Sequence, residues 1–184
     1  VSYQKLNKDI KVIGGFHKFP IKKTSLFLGN AGTAFRPLVA ILSILGGSYD
    51  LKGVPRMHER PIKDLVDALL SIGADIKYLG QSGYPPLKIS KSNILINGPI
   101  YINGNVSSQY LTALLIAAPL ANQNLSIQID GDLISKPYID ITLKLLEKFD
   151  IFYINKDWQS FKLKTPASFK SPKEVFVEGD ASSA

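Results

Sequence analysis

Two hydrophobic rhythms alternate along this chain. Apolar residues three and four apart predict helices over about Thr33 to Leu45, Pro61 to Ile72, Ser108 to Leu120 and Pro137 to Phe149. The short apolar segments between them predict strands at Tyr49 to Lys52, Asp75 to Leu79, Leu87 to Ile89, Leu125 to Ile129, Ile151 to Ile154 and Phe161 to Lys164. In the second helix the stripe is Ile62, Leu65, Val66, Leu69 and Leu70; in the fourth it is Tyr138, Ile141, Leu145, Leu146 and Phe149. Pro61 and Pro137 are expected at the first helical position, where a missing N–H leaves no bond unmade. The apolar stretch Tyr110 to Ala121 is interrupted by Thr112 and Pro119. It falls well short of the roughly 20 residues a membrane span needs, so it reads as a buried helix.

The pattern repeats. Gly29-Asn30-Ala31-Gly32-Thr33-Ala34, Gly104-Asn105-Val106-Ser107-Ser108-Gln109 and Gly179-Asp180-Ala181-Ser182-Ser183-Ala184 begin 75 residues apart. Each follows an apolar extended segment, at Ser25 to Leu28, Ile100 to Asn103 and Glu174 to Val177. Arg60-Pro61-Ile62-Lys63-Asp64 recurs as Lys136-Pro137-Tyr138-Ile139-Asp140, 76 residues on. The expected organisation is an α/β repeat of helix-strand-helix-strand-strand units. Residues 1–28 form the tail of a preceding repeat, 29–103 and 104–178 are two full units, and 179–184 open the next helix. A unit interrupted at both ends cannot bury its apolar face alone, so the chain is expected to be an internal fragment of a longer protein.

Composition narrows the chemistry. The chain carries 22 Lys+Arg against 15 Asp+Glu, a formal charge of +7, and no cysteine in 184 residues. Thiolate zinc sites, disulfides and cysteine nucleophiles are therefore excluded. Its two histidines, His17 and His58, have no ligand-spaced partners and read as solvent-facing or capping residues, so neither a metal nor a cofactor is expected. The basic residues are scattered, with Lys22-Lys23 the only adjacent pair, which fits a small anionic substrate rather than a nucleic acid. The opening Val-Ser-Tyr-Gln-Lys has no apolar signal core.

The repeated Gly-Asn/Asp turn ahead of a helix suits an anion, because free N–H groups and the positive end of the helix dipole point there. Ordinary capping by Ser, Thr or Asn explains the same residues, at about 1 kcal/mol each. Gln109, with both donor and acceptor groups, tilts the second copy towards a ligand. Between strand and helix, Arg56 and Arg60 stand four apart between Pro55 and Pro61, forming either a stiff phosphate- or carboxylate-binding loop or an Arg-Glu surface pair with Glu59. The matching loop of the second unit offers Ser135, Lys136 and Tyr138; its Asp130 and Asp132 flank a glycine and read as a turn more readily than as an acid/base pair. Trp158 and Phe161 read as strand core.

These motifs resemble the 5-enolpyruvylshikimate-3-phosphate synthase family of enolpyruvyl transferases. The resemblance rests on Leu28-Gly29-Asn30-Ala31-Gly32-Thr33-Ala34-Phe35-Arg36-Pro37-Leu38, with Phe35 where the family usually has Met, and on Gly53 to Pro61. It continues through Ser107 to Leu115, Ser135 to Asp140 and Glu178 to Ala184, five motifs in order across nearly the whole chain. It implies a two-domain cytoplasmic enzyme, a monomer, each domain built of three repeats with helices inside and sheets outside. The implied reaction moves the enolpyruvyl group of phosphoenolpyruvate to the 5-hydroxyl of shikimate 3-phosphate, with phosphate released.

Carried over residue by residue, the resemblance implies that Ser107, Ser108, Gln109, Ser135 and Tyr138 contact shikimate 3-phosphate. It implies that Asn30, Gly32, Arg60 and again Gln109 face phosphoenolpyruvate, with Thr33, Arg36 and Pro37 shaping the site from behind and Arg56 structural. The acid/base carboxylates and the partner domain are expected outside this chain, which is then inactive alone. Two rival readings are an enolpyruvyl transferase acting on UDP-N-acetylglucosamine, whose catalytic loop normally carries a cysteine, and a non-catalytic or RNA-phosphate-binding module of similar build.

Overall fold

In a computed structural model, which describes residues 2–7, 9–13, 21–105, 107–165, 167–177 and 179, the chain forms two sheets of like topology and one separate ribbon. The ribbon pairs β1 (Ser2–Leu6) with β2 (Asp9–Ile13) antiparallel. The first repeat then runs β3 (Lys23–Phe27), α1 (Gly32–Leu45), β4 (Ser48–Lys52), a one-turn α2 (Pro55–His58), α3 (Lys63–Leu70), β5 (Asp75–Tyr78) and β6 (Leu87–Ser90). The second runs β7 (Ile100–Asn103), α4 (Ser108–Ala117) continued by a 3-10 turn (Ala118–Leu120), β8 (Leu125–Asp130), α5 (Lys136–Lys148), β9 (Tyr153–Lys156) and β10 (Ser160–Leu163).

Both sheets order their strands in the same way. β3 lies parallel to β4 across α1, and β6 and β5 add antiparallel to give β3-β4-β6-β5; β7-β8-β10-β9 repeats that order with β7 parallel to β8 across α4. The strands alternate as one-sided sheets require. Tyr49 and Leu51, Leu87 and Ile89, Leu125, Ile127 and Ile129, and Phe161 and Leu163 point inward, while Lys88 and Lys162 between them face water. Helices fill the interior. α4 is apolar nearly all round, buries Tyr110, Leu111, Ala113, Leu114, Leu115 and Ala117, and packs against both α1 and α5. α3 of the first repeat packs on β7 of the second, so the two units share one continuous core. Among the described residues no helix is long and apolar enough to cross a membrane.

Three local expectations are corrected. Helix α3 begins at Lys63 rather than Pro61, because the Ile62 N–H is drawn out to the Gly83 carbonyl (2.9 Å) and the backbone there is not helical. Glu174 to Val177 forms no strand. In both complete repeats that strand pairs with the one following its helix, whereas here Phe176 and Val177 are exposed. Trp158 is a turn residue rather than a strand residue: Asp157 and Trp158 both take positive φ in the β9–β10 hairpin, and the indole folds back edge-on against Phe161, ring centres 6.4 Å apart.

Two measurements check this packing. Leu114→Ala, at a fully buried position of α4, is expected to lower unfolding free energy by about 2–5 kcal/mol in urea titration. Burial, with help from the Asp67 and Asp64 charges, pushes the Tyr78 hydroxyl up to about 12, and that hydroxyl is buried without a partner among the described residues. The folded state therefore favours the neutral phenol. Stability from this group is intact below the unfolded value of about 10 and declines as pH rises from there through about 12. Tyr78→Phe is expected to flatten that alkaline decline and to be neutral or stabilising at pH 7, read by denaturation at both pH values.

Candidate functional site

Both helix mouths of each repeat open on the same sheet edge, because β3 and β4, and β7 and β8, run parallel. The ladders continue one step past the strands. Leu28 N–H donates to the Lys52 carbonyl (2.8 Å) and Val54 N–H to that of Gly29 (3.1 Å); Gly104 N–H donates to Asp130 (2.9 Å) and Ile134 N–H to Gly104 (3.1 Å). This stitching holds the loop before the first helix against the loop before the second. Glycine is required at the crossing, since a Cβ on Gly104 would lie 2.7 Å from the Asp132 carbonyl oxygen.

Capping accounts for only one of the three helix starts. Ser107 is the N-cap of α4 and its hydroxyl accepts from the Gln109 N–H (3.3 Å). The N-cap of α1 is Ala31, so neither Asn30 nor Thr33 caps it, and Ser135 before α5 sits at φ 58° without a side-chain capping bond.

At the mouth of α1 the side chains converge. Arg36, one turn after Gly32, is only 7% exposed and leans back over that glycine. Its Nη1 donates to Gln109 Oε1 on α4, its Nη2 donates to the Pro61 carbonyl (3.3 Å), and its guanidinium lies 5.5 Å from the centre of the Tyr110 ring. Tyr110 donates its hydroxyl to the same Pro61 carbonyl (2.8 Å). Arg60 approaches from the α2–α3 loop and donates from Nη1 to the Asn30 carbonyl (3.2 Å). A Cβ on Gly32 would stand 2.6 Å from Arg36 Nη1 and 2.7 Å from Arg60 Nη1. The glycine is thus the floor on which two guanidinium groups meet.

The electrostatics of this pair are unbalanced. Burial lowers the Arg36 pKa, the neighbouring Tyr110 opposes that shift, and the Arg60 charge lowers it further. Arginine nevertheless stays protonated. The ion pairs among the described residues engage neither Arg36 nor Arg60, and Arg36 Nε has no acceptor there. Two cations with no local carboxylate, at the positive end of α1, form a site for an anion.

The structure therefore gathers Asn30, Gly32, Arg60 and Gln109 around the space over Gly32, with Arg36 inside the cluster rather than behind it. Thr33 is exposed in the first turn of α1, and Pro37 is half-buried inside that helix. Ser107 and Ser108 are half-buried at the mouth of α4, whereas Ser135 and Tyr138 are exposed at the mouth of α5. Among the described residues no side-chain hydrogen bond joins Ser108, Ser135 or Tyr138 to the arginine cluster; α4 and α5 are bridged one turn deeper by Thr112 and Thr142, hydroxyl to hydroxyl at 3.0 Å. Arg56 forms an exposed pair with Glu59 at 2.6 Å, the surface reading of that loop. Asp130, Gly131 and Asp132 form a turn with Gly131 at φ 77°, and His58 Nε2 accepts from the Gly53 N–H (3.4 Å); His17 and Asp180 to Ala184 lie outside the described residues. Among the described residues no group of three His, Asp or Glu side chains could hold a metal.

Tyr110 and the Pro61 carbonyl were not singled out in the sequence. The available signal was the four-residue spacing from Gly32 to Arg36, which stacks the longer side chain over the residue that has none. A separate cavity of about 480 Å³ lies between α3 and β7, lined by Asp64, Asp67, Ser71, Asn97 and Tyr101 among others, and contains none of the cluster.

Comparisons with known proteins place this geometry in context. A model of the EPSP synthase (3-phosphoshikimate 1-carboxyvinyltransferase) family matches residues 1–184. The 3-phosphoshikimate 1-carboxyvinyltransferase of Neisseria meningitidis serogroup B is 57% identical over 175 residues, covering 95% of this chain and 40% of that protein. That of Cupriavidus taiwanensis is 52% identical over 187 residues, covering all of this chain and 43% of its own length. The chain thus spans about 40% of the length of the curated relatives it matches. A solved EPSP synthase from Acinetobacter baumannii superposes with a TM-score of 0.73 at 22% identity, covering 92% of this chain and 37% of that one, a likeness of fold.

A methyl group at Gly32 tests the floor of the site. Gly32→Ala is expected to push the two guanidinium groups apart and to weaken binding of inorganic phosphate, as a probe anion, about tenfold, or about 1.4 kcal/mol, by calorimetric titration. The far-UV circular dichroism should stay unchanged, because the nearest atoms displaced are side-chain ends and not backbone.

Proposed function

The chain belongs to the EPSP synthase (3-phosphoshikimate 1-carboxyvinyltransferase) family, and from that premise we propose that the polypeptide carrying it transfers the enolpyruvyl group of phosphoenolpyruvate to the 5-hydroxyl of shikimate 3-phosphate. The hydroxyl oxygen forms the new bond to the enol carbon, the bond from that carbon to the phosphate oxygen breaks, and the proton lost by the hydroxyl is carried off with the released inorganic phosphate.

The observation that carries this reading is the meeting of Arg36, Arg60 and Gln109 above Gly32, two cations and an amide with no carboxylate between them. Phosphoenolpyruvate brings a phosphate and a carboxylate, the counter-charges this cluster lacks. In this reading Arg60 grips its phosphate, and Asn30, Gly32 and Gln109 complete the donor side. Ser107, Ser108, Gln109, Ser135 and Tyr138 receive shikimate 3-phosphate at the adjoining mouths of α4 and α5, the serines on its phosphate.

Residues 1–28, 29–103, 104–178 and 179–184 are then successive parts of one domain of a two-domain, monomeric, cytoplasmic enzyme, with the acid/base carboxylates supplied by the other domain. Alone, residues 1–184 bind without turnover. The test is a titration of this chain with shikimate 3-phosphate, with inorganic phosphate and shikimate as controls, followed by amide chemical shifts. Localised shifts at Ser107 to Gln109 and Ser135 to Tyr138, absent with both controls, are expected. A well-dispersed spectrum without those shifts would refute the acceptor assignment, and enzyme-like phosphate release by the chain alone would refute the division of the active site.

A further inference from the structure

Arg36 lends its charge to the anion site described above but grips neither substrate in that reading, and the donor side is organised around it. Its guanidinium carries only N–H donors, so the only atom it can engage on the Gln109 amide is Oε1. That contact decides the polarity of the amide. An unconstrained glutamine presents oxygen and nitrogen in two orientations of nearly equal shape and opposite hydrogen-bonding character. With Oε1 held by Arg36, the Nε2 donors are turned to the other side.

The guanidinium is itself fixed from independent directions. Its Nη2 donates to the Pro61 carbonyl at 3.3 Å, that carbonyl is held in turn by the Tyr110 hydroxyl at 2.8 Å, and the Tyr110 ring lies 5.5 Å from the guanidinium carbon. Gly32 leaves the space that the group occupies. Arg36 is too buried to trade these partners for water, being only 7% exposed. Arg60, by contrast, is half-buried and holds one backbone carbonyl, Asn30, at 3.2 Å.

We propose that Arg36 is a positioning residue: it locks the Gln109 amide with its Nε2 donors towards the anionic donor substrate, so that a neutral side chain serves as a second donor beside Arg60. The proposal rests on the reading that Gln109 and Arg60 face phosphoenolpyruvate. It explains why a buried cation sits where no carboxylate does. A carboxylate at position 109 would neutralise Arg36 and offer the ligand only acceptors, whereas the amide satisfies Arg36 and still has donors left.

The test uses the full-length polypeptide that carries residues 1–184, with Arg36→Met, Gln109→Leu and the double variant. Each single variant is expected to raise KM for phosphoenolpyruvate about tenfold, the scale of one charge-assisted hydrogen bond. The double variant is expected to be no worse than the weaker single, because both changes remove one interaction. Additive losses would overturn the proposal. Side-chain amide NMR supplies a readout independent of the substrate: the Gln109 NH2 pair is expected to be rigid in the wild type and mobile in Arg36→Met, and an equally rigid pair in both would overturn it.

If Arg36→Met does not fold, Arg36→Lys serves in its place. One ammonium cannot reproduce the fork to Gln109 and Pro61, and the same gain in amide mobility is expected. If the wild type binds no phosphoenolpyruvate, the proposed function fails, while the Gln109 amide dynamics still decide whether Arg36 orients it.

Discussion

A cation buried without a carboxylate is the constraint around which this structure is arranged. Taking a guanidinium out of water costs several kcal/mol unless its N–H groups are met. Here neutral groups meet the Nη donors, the Gln109 amide from α4 and the Pro61 carbonyl from the loop before α3, with the face of Tyr110 alongside, while Nε finds no acceptor among the described residues. Three segments distant in sequence must therefore arrive together for Arg36 to be buried at all. The adjoining choices follow from that. Residue 32 has no side chain because the guanidinium fills its space, and Pro61, lying outside the helix, turns its carbonyl to Arg36 and Tyr110.

The apolar core supplies the free energy that tolerates this arrangement. α1 and α4 pack face to face at the centre, with Phe35, Val39, Leu111, Leu114 and Leu115 fully buried, and the two one-sided sheets close over them. Burial on this scale anchors the helix starts to the same edge of each sheet. The backbone stitching across Gly29 and Gly104 then repeats at both mouths, so position is inherited from the repeat while chemistry is not. The first mouth carries arginines and a glycine floor; the second carries hydroxyls and an amide. Gln109 and Tyr110, at the start of α4, reach across from the second repeat into the first and link the two mouths.

Local order was well legible from residue pattern. The strands Asp75–Tyr78 and Leu125–Asp130 and the helices α1, α4 and α5 lie within three residues of their expected limits, since each depends on periodic burial within one segment. Misplacements arose where a distant partner outbid local preference. The start of α3 was moved by Gly83, and Trp158 by the hairpin turn that folds it onto Phe161.

Sequence alone determined the repeat, the family resemblance and the residue types gathered for anions, because spacing and side-chain chemistry are properties of the chain itself. It marked Arg36 as belonging to the signature helix and left its role behind the site undefined. Only tertiary structure decided that Arg36 lies buried between Gln109 and Pro61, beside Arg60, in no ion pair among the described residues. Electrostatic partnership depends on distances between residues 25 and 73 positions apart, and those distances are set by how helices pack, which no local pattern encodes.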